Sequence, residues 1–292
     1  MYKKHDSFYA LKHKKEKKTN SILERINKTS KNPLIIERLS IESRAILKKV
    51  VRDLFSNIDK SSNIKFDLKS NVIAEIDTIS DTDLPRYLIH RYRYEIFPET
   101  KTIDDFPPYL QIEPTSICNY RCVFCFETDK SFTDKKSGHM GQMKLDLFKK
   151  IIDQAEGNIE FISLASRGEP LACPEITKML DYTRGKFLNL KLNTNASLLD
   201  EKKIHAILSG SIKTIVFSAD AASEPLYSKL RVNGNLEKVI KNIENFKKIH
   251  ETEYSSNPII TRVSGVKFDN SQDLKLMEKF WGNLVDQVAF VN

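Results

Sequence analysis

The chain has 292 residues, 40% of them hydrophobic, which is enough for one large α/β domain or one domain with a helical extension. Nine glycines and ten prolines exclude a collagen-like or linker-dominated chain, and no apolar run reaches the ~20 residues that a membrane-spanning helix needs. The formal net charge is +8, but residues 1–31 hold ten Lys/Arg against Asp6, Glu16 and Glu24, a surplus of seven that leaves the rest nearly neutral.

In chain order, residues 1–31 read as a basic, flexible tail. Lys12-His13-Lys14-Lys15-Glu16-Lys17-Lys18 is a candidate patch for nucleic acid, acidic lipid or an acidic partner, weighed against a plain solvated terminus. No aromatic platform follows it, which disfavours nucleic acid. Met1 to Ser7 offers no apolar stretch after its basic residues, so it is not a secretory signal. Residues 33–56 predict one helix, with Ile36, Leu39, Leu47, Val50 and Leu54 on a face interrupted by Ser43. Thr82-Asp83-Leu84-Pro85 predicts a helix start running into Tyr87–Tyr94. Residues 32–105 are thus a helical N-terminal extension, and Phe106-Pro107-Pro108 is a stiff entry to the next domain.

From residue 106 to 292 the pattern alternates strand and helix. Strands are expected at Tyr109–Glu113, Ile159–Ala165, Leu188–Asn193, Thr214–Ser218, Ile259–Val266 and Val288–Val291. The helices between them are expected at Leu145–Glu156 (with Leu147, Ile151 and Ile152 inward), Glu175–Arg184, Asp200–Leu208, Leu236–Thr252 and Leu274–Leu284. Repeated βα units of this length predict parallel strands, and six of them predict an α/β fold: a partial (βα)6 TIM-like barrel, two strands short of closure. Such barrels keep their chemistry at the carboxyl ends of the strands. Those ends carry Ser166-Arg167-Gly168-Glu169-Pro170, Asn193-Thr194-Asn195-Ala196, Ser218-Ala219-Asp220 and Arg262-Val263-Ser264-Gly265. Each tip alone fits ordinary turn chemistry. Their shared register is what carries weight.

The loop after the first strand holds Cys118, Cys122 and Cys125, three of the four cysteines, spaced C-x3-C-x2-C. Clustered cysteines of this kind in a reducing compartment bind metal or react, so the expected location is cytoplasmic. Structural zinc wants four ligands, usually as two separated pairs, and His139 is the only histidine in the following loop. A four-iron cubane takes one thiolate per iron, so three cysteines leave one iron for another ligand. Cys173, near the start of the second barrel helix, reads as a reactive thiol, a fourth ligand or, preferentially, a small buried residue. Asp220 reads equally as a helix cap or a site residue, and Trp281 as core.

The segment Cys118-Asn-Tyr-Arg-Cys122-Val-Phe-Cys125 resembles the signature of radical S-adenosylmethionine (SAM) enzymes, with the Gly-Glu-Pro, Asn-rich and Ser-x-Asp tips in the family's places. The resemblance covers about residues 109–292. It implies that Cys118, Cys122 and Cys125 hold a [4Fe–4S] cluster whose open iron chelates the methionine part of SAM. It further implies Phe124 beside the adenine, Gly168, Glu169 and Pro170 at the edge that receives the amino group, and Asn195, Ser218 and Arg231 as contacts to ribose or carboxylate. Reductive cleavage of SAM would yield a 5′-deoxyadenosyl radical that abstracts hydrogen from a peptide, protein or small metabolite. A flavodoxin or ferredoxin would supply the electron. Arg167 departs from a second glycine common in the family; its cation either aims into the site or points to solvent. Arg-Gly-Glu-Pro and Val285-Asp286-Gln287-Val288 are similar to the subgroup that continues into a SPASM-type extension with auxiliary clusters. No cysteine follows Cys173, so the expectation is a C-terminally truncated chain or one that has lost the extension. The rival readings are a non-catalytic iron–sulfur protein and a radical enzyme that modifies nucleic acid through the basic tail.

Overall fold

A computed structural model describes residues 12–56 and 64–291 of the chain. The polypeptide divides into two compact units, one of helices from the N-terminal third together with residues 157–161, and one formed by residues 111–156 and everything from residue 162 onward.

In the N-terminal unit the helices are α1 (Lys12–Thr29), α2 (Pro33–Ile36), α3 (Ile41–Phe55), α4 (Ser70–Ile76) and α5 (Leu84–Glu99). The described part of the expected flexible tail is therefore α1. Ile22 and Ile26, one turn apart, are buried in the core of this unit, and Arg25 donates to the carbonyl of Ile76 at 2.9 Å. The single helix expected over 33–56 is two. Ser40 takes up an extended backbone and its Oγ accepts from the N–H of Ser43 at 3.1 Å, so α3 starts afresh there. Leu39 and Ser43 are thus separated by a cap, and the buried face of α3 is Ile46, Leu47 and Val50. His90 of α5 lies with its ring flat on Phe161, centroids 4.0 Å apart at 1°. Burial, then the nearby Arg91 and Arg93 cations, push the His90 imidazole down to about 3.

In the second unit the strands are β1 (Leu110–Ile112), β2 (Arg121–Cys122), β3 (Phe161–Leu164), β4 (Asn189–Thr194), β5 (Ile212–Ser218), β6 (Arg231–Val232), β7 (Ile260–Val266) and β8 (Gln287–Val291). Its helices are α6 (Lys130–Thr133), α7 (Leu145–Ala155), α8 (Ile176–Tyr182), α9 (Glu201–Leu208), α10 (Glu224–Leu230), α11 (Leu236–Glu253) and α12 (Leu274–Gly282). The six expected strands form one sheet in the order β1-β3-β4-β5-β7-β8. β4 to β5, β5 to β7 and β7 to β8 run parallel, with Leu192 beside Ile215, Val216 beside Arg262 and Val263 beside Val288. All four residues of β3 are buried, as expected of a strand covered on both faces. The architecture is the predicted partial barrel.

Three local differences have physical causes. The inward stripe of α7 is Phe148, Ile152 and Ala155, an i, i+4, i+7 set, whereas Leu147 is 52% exposed. The segment after β5 adds α10 and the short β6, which pairs antiparallel with β2 and brings Arg231 opposite Cys122. Trp281 of α12 is fully buried and its Nε1–H donates to Ala221 at 3.1 Å, which fits the core reading.

Candidate functional site

The cysteine loop is tied at its base. The N–H of Ser116 donates to Gly141 at 3.0 Å, the N–H of Gly141 donates to Ser116 Oγ at 2.7 Å, and the N–H of Met143 donates to Pro114 at 2.9 Å. Within that frame Cys122 sits on the β2–β6 ribbon, and the N–H of Cys125 donates to the Cys122 carbonyl at 2.9 Å. Cys118 Sγ accepts from the N–H of Tyr120 at 3.4 Å. All four cysteines are free thiols.

Burial pushes the Cys118 thiol up to about 11 and also raises Cys122, where the Arg231 cation pulls the other way. Neighbouring thiols add to both shifts, so thiolates at Cys118 and Cys122 are costly unless a metal centre replaces the protons. Among the described residues no three His, Cys, Asp or Glu side chains converge as a mononuclear metal site would require. Three free thiols on one loop suit a cluster that takes one thiolate per iron. Cys173 is 2% exposed and its thiol is pushed up, first by burial. That matches the packing reading and disfavours a reactive thiolate.

The strand tips are wired to this loop. Glu169 is 3% exposed. Its carboxylate accepts from Thr194 Oγ1 at 2.6 Å, the N–H of Asn195 at 2.7 Å and the N–H of Leu171 at 3.0 Å, bracing the β3 tip against the β4 tip. Burial nonetheless holds its pKa above the ordinary carboxyl range. Pro170 is buried and opens a turn of 3₁₀ helix. Gly168 packs so closely on the loop that a Cβ there would lie 2.0 Å from the Thr115 carbonyl oxygen. Asn195 Nδ2 donates to Asn119 Oδ1 at 3.0 Å, and Asn119 Nδ2 donates to Ser197 Oγ at 2.8 Å. Ser218 ends β5 level with Ser264 of β7. Ser166 and Ala196, which follow β3 and β4, take positive φ values of 147° and 62°. Backbone strain of ~1–3 kcal/mol each is characteristic of functional rims.

Arg167 is paired with a strand-tip acid. Its Nε and Nη2 fork onto Glu113 Oε2 and Oε1 at 3.1 and 2.9 Å, and its N–H donates to Oε2 at 2.8 Å. Burial would raise Glu113, but these bonds outweigh it and hold the carboxyl below its ordinary range. Arg231 and Asp220 are 6% and 0% exposed. Arg231 Nε meets Asp220 Oδ2 at 2.5 Å, and its Nη1 lies 3.9 Å from Cys122 Sγ. Its guanidinium also stands 5.9 Å from the centre of the Phe124 ring, which leans on Phe268. Asp220 Oδ1 accepts from the N–H of Val266 at 2.6 Å, so it links three elements and caps no helix.

Sequence reasoning missed Glu113, Asn119 and Glu127. Glu127 is buried, burial pushes its pKa up, and its Oε2 has no hydrogen-bond partner. The signals for all three were weak: one acid at a strand end, and two polar residues inside or beside the cysteine motif.

Comparison with known proteins adds a family. The family model described as the Radical SAM superfamily matches residues 112–278. The tungsten-containing aldehyde ferredoxin oxidoreductase cofactor-modifying protein of Pyrococcus furiosus is 32% identical over 114 residues, 38% of this chain and 30% of that protein. A GTP 3′,8-cyclase of Clostridium botulinum is 26% identical over 178 residues, 59% of this chain and 52% of the cyclase. Streptococcus suis SuiB, solved with the precursor peptide SuiA, superposes with a TM-score of 0.51 at 20% identity, over 85% of this chain and 50% of SuiB. The chain thus spans about half the length, or less, of the relatives it matches.

Proposed function

The chain belongs to the radical SAM superfamily, and from that premise we propose that it is the cluster-bearing core of an enzyme that cleaves SAM reductively and abstracts hydrogen from an organic substrate. The observation that carries the reading is the trio Cys118, Cys122 and Cys125, free thiols on one tied loop at the β1 tip. Those three cysteines would hold the [4Fe–4S] cluster that this superfamily uses. When bound, the cluster supplies the electron that splits the sulfonium C–S bond of SAM to give a 5′-deoxyadenosyl radical.

The chain's own residues fix the geometry. Gly168 admits a close approach between the β3 tip and the loop, and Glu169 locks that tip to β4. We assign the edge Gly168-Glu169-Pro170 to the amino group of SAM and Phe124 to its adenine, with Asn195 and Ser218 nearest the ribose. Arg231, whose Nε is paired with Asp220, stays a candidate contact to the ribose or carboxylate through its Nη groups. We assign it a further role behind the cysteines. The substrate classes consistent with the fold are a peptide, a protein or a small metabolite. The electron donor is a flavodoxin- or ferredoxin-type protein in a reducing, cytoplasmic setting. Among the described residues no helix is long and apolar enough to cross a membrane.

The test is anaerobic reconstitution of the full chain with iron and sulfide, followed by SAM and dithionite. Bound iron and sulfide near four each per chain, with release of 5′-deoxyadenosine, is the expected outcome. A chain that binds no iron, or a cluster whose spectrum ignores SAM and that yields no deoxyadenosine, refutes the reading.

A further inference from the structure

Antiparallel pairing of β2 with β6 sets Cys122 directly across from Arg231. That pairing is reinforced by the N–H of Val123, which donates to Leu230 at 3.0 Å. Arg231 is buried, and so is the acid that holds it. The guanidinium stands between an acid and a sulfur: Nε forms an ion pair with Asp220 Oδ2 at 2.5 Å, while Nη1 donates to Cys122 Sγ at 3.9 Å. Asp220 is itself fixed from β7, through the N–H of Val266 on Oδ1 at 2.6 Å. Gln272 fastens the same corner, its Nε2 donating to the Asp220 carbonyl at 2.8 Å and the Val266 carbonyl at 2.7 Å.

A buried ion pair is a poor way to gain stability, because desolvation offsets most of its Coulomb attraction. This one has a second feature that stability does not explain: the cation is delivered to a cysteine sulfur. A fixed cation and an N–H donor at a ligand sulfur both favour the state of an iron–sulfur centre that carries the extra electron. In a dry site the effect is screened little by salt.

We propose that Arg231, positioned by Asp220, raises the electron affinity of the cluster held through Cys122. This rests on the cluster reading given above. Arg231 thereby acts on the cluster through Cys122.

The test is a redox titration of the full, anaerobically reconstituted chain without SAM, following the EPR signal of the reduced cluster. Arg231→Met, at matched iron content, is expected to disfavour reduction at least tenfold, a fall of ~59 mV for a one-electron couple. Arg231→Lys, which keeps the charge, should recover part of that loss. Asp220→Asn removes the neighbouring negative charge and should move the potential the opposite way, upward. Because Arg231→Met strands a buried carboxylate, the double variant Asp220→Asn/Arg231→Met provides a second route. It buries no charge and is still expected to fall below wild type. A wild-type potential in the cluster-loaded double variant overturns the proposal. So do shifts of the same sign in Asp220→Asn and Arg231→Met, which would mark a merely structural role. If the wild-type chain assembles no cluster, or Cys122→Ala assembles a normal one, the reading of the site itself falls and takes this proposal with it. An unmoved potential in a loaded variant refutes this proposal alone.

Discussion

Replacing Gly168 by alanine adds a single methyl group and is expected to disable the site from its rim. The new Cβ would lie 2.0 Å from the Thr115 carbonyl oxygen and 2.8 Å from the carbonyl carbons of Thr115 and Ser116. Ordinary contact begins near 3.4 Å, so two backbones must part by roughly 1.4 Å. Neither is free to do so. The N–H of Glu169 donates to Ile117 at 3.0 Å, Ser116 is bonded to Gly141, and the Glu169 carboxylate is bonded to Thr194 and Asn195. Overpacking against a side chain typically costs ~1–3 kcal/mol, and against pinned backbone we expect about 3 or more. For a unit of this size that is a fall of about 6 °C or more in the melting temperature. Thermal unfolding by circular dichroism, with the iron-to-protein ratio after reconstitution, reads both effects. Gly282→Ala is the control, since nothing lies within 4 Å of a Cβ there. A Gly168→Ala protein that melts with wild type and loads iron normally would refute the reasoning.

The other expectations follow from single contacts. Alanine at Cys118, Cys122 or Cys125 should abolish four-iron loading, whereas Cys173→Ala should leave iron content unchanged; loss of iron in Cys173→Ala would make it a ligand. His90 stays neutral in the fold down to about 3, while an exposed histidine takes a proton near its ordinary 6.5. Its contribution is therefore intact above that value and lost as pH falls from 6.5 toward 3, at about 1.4 kcal/mol per pH unit. His90→Gln should flatten that slope in urea titrations at a series of pH values, and parallel slopes in the two proteins would sink the idea. Trp281→Phe removes a fully buried indole and leaves the Ala221 carbonyl without its donor. A loss of about 2–3 kcal/mol is expected in chemical denaturation, and a change within error of zero would contradict it.

Much of the barrel was legible because a strand covered on both faces leaves a plain apolar run, and turn residues punctuate each end. Asp200 and Asn235 cap α9 and α11 with their side chains, beside the expected helix starts. What escaped the sequence depends on pairing between distant residues. Nothing near Arg167 announces a fork onto Glu113, 54 residues earlier. The β2–β6 ribbon is two short, unremarkable segments that become a structural element only by meeting. On α7, apolar residues lie on more than one face, so periodicity admits Leu147 as readily as Phe148, and only packing decides. The cysteines were readable because their chemistry is local; Arg231 and Asp220 were visible as candidates, but their partners were not.

The tie at the base of the cysteine loop has a consequence for how this chain can change over generations. Between Asp129 and Gly138 the segment is self-supporting: Asp129 accepts from the N–H of Ser131, Asp134 accepts from the N–H of Lys136, and Gly138 closes the tip at φ 72°. Gly141, just beyond its C-terminal end, is tied back to Ser116 ahead of the cysteines. Insertions or deletions there cost little closure entropy and spare the Ser116–Gly141 tie. The tip is where descendants of this sequence can vary in length, and acquire new surface, at the threshold of the reactive centre without rebuilding it.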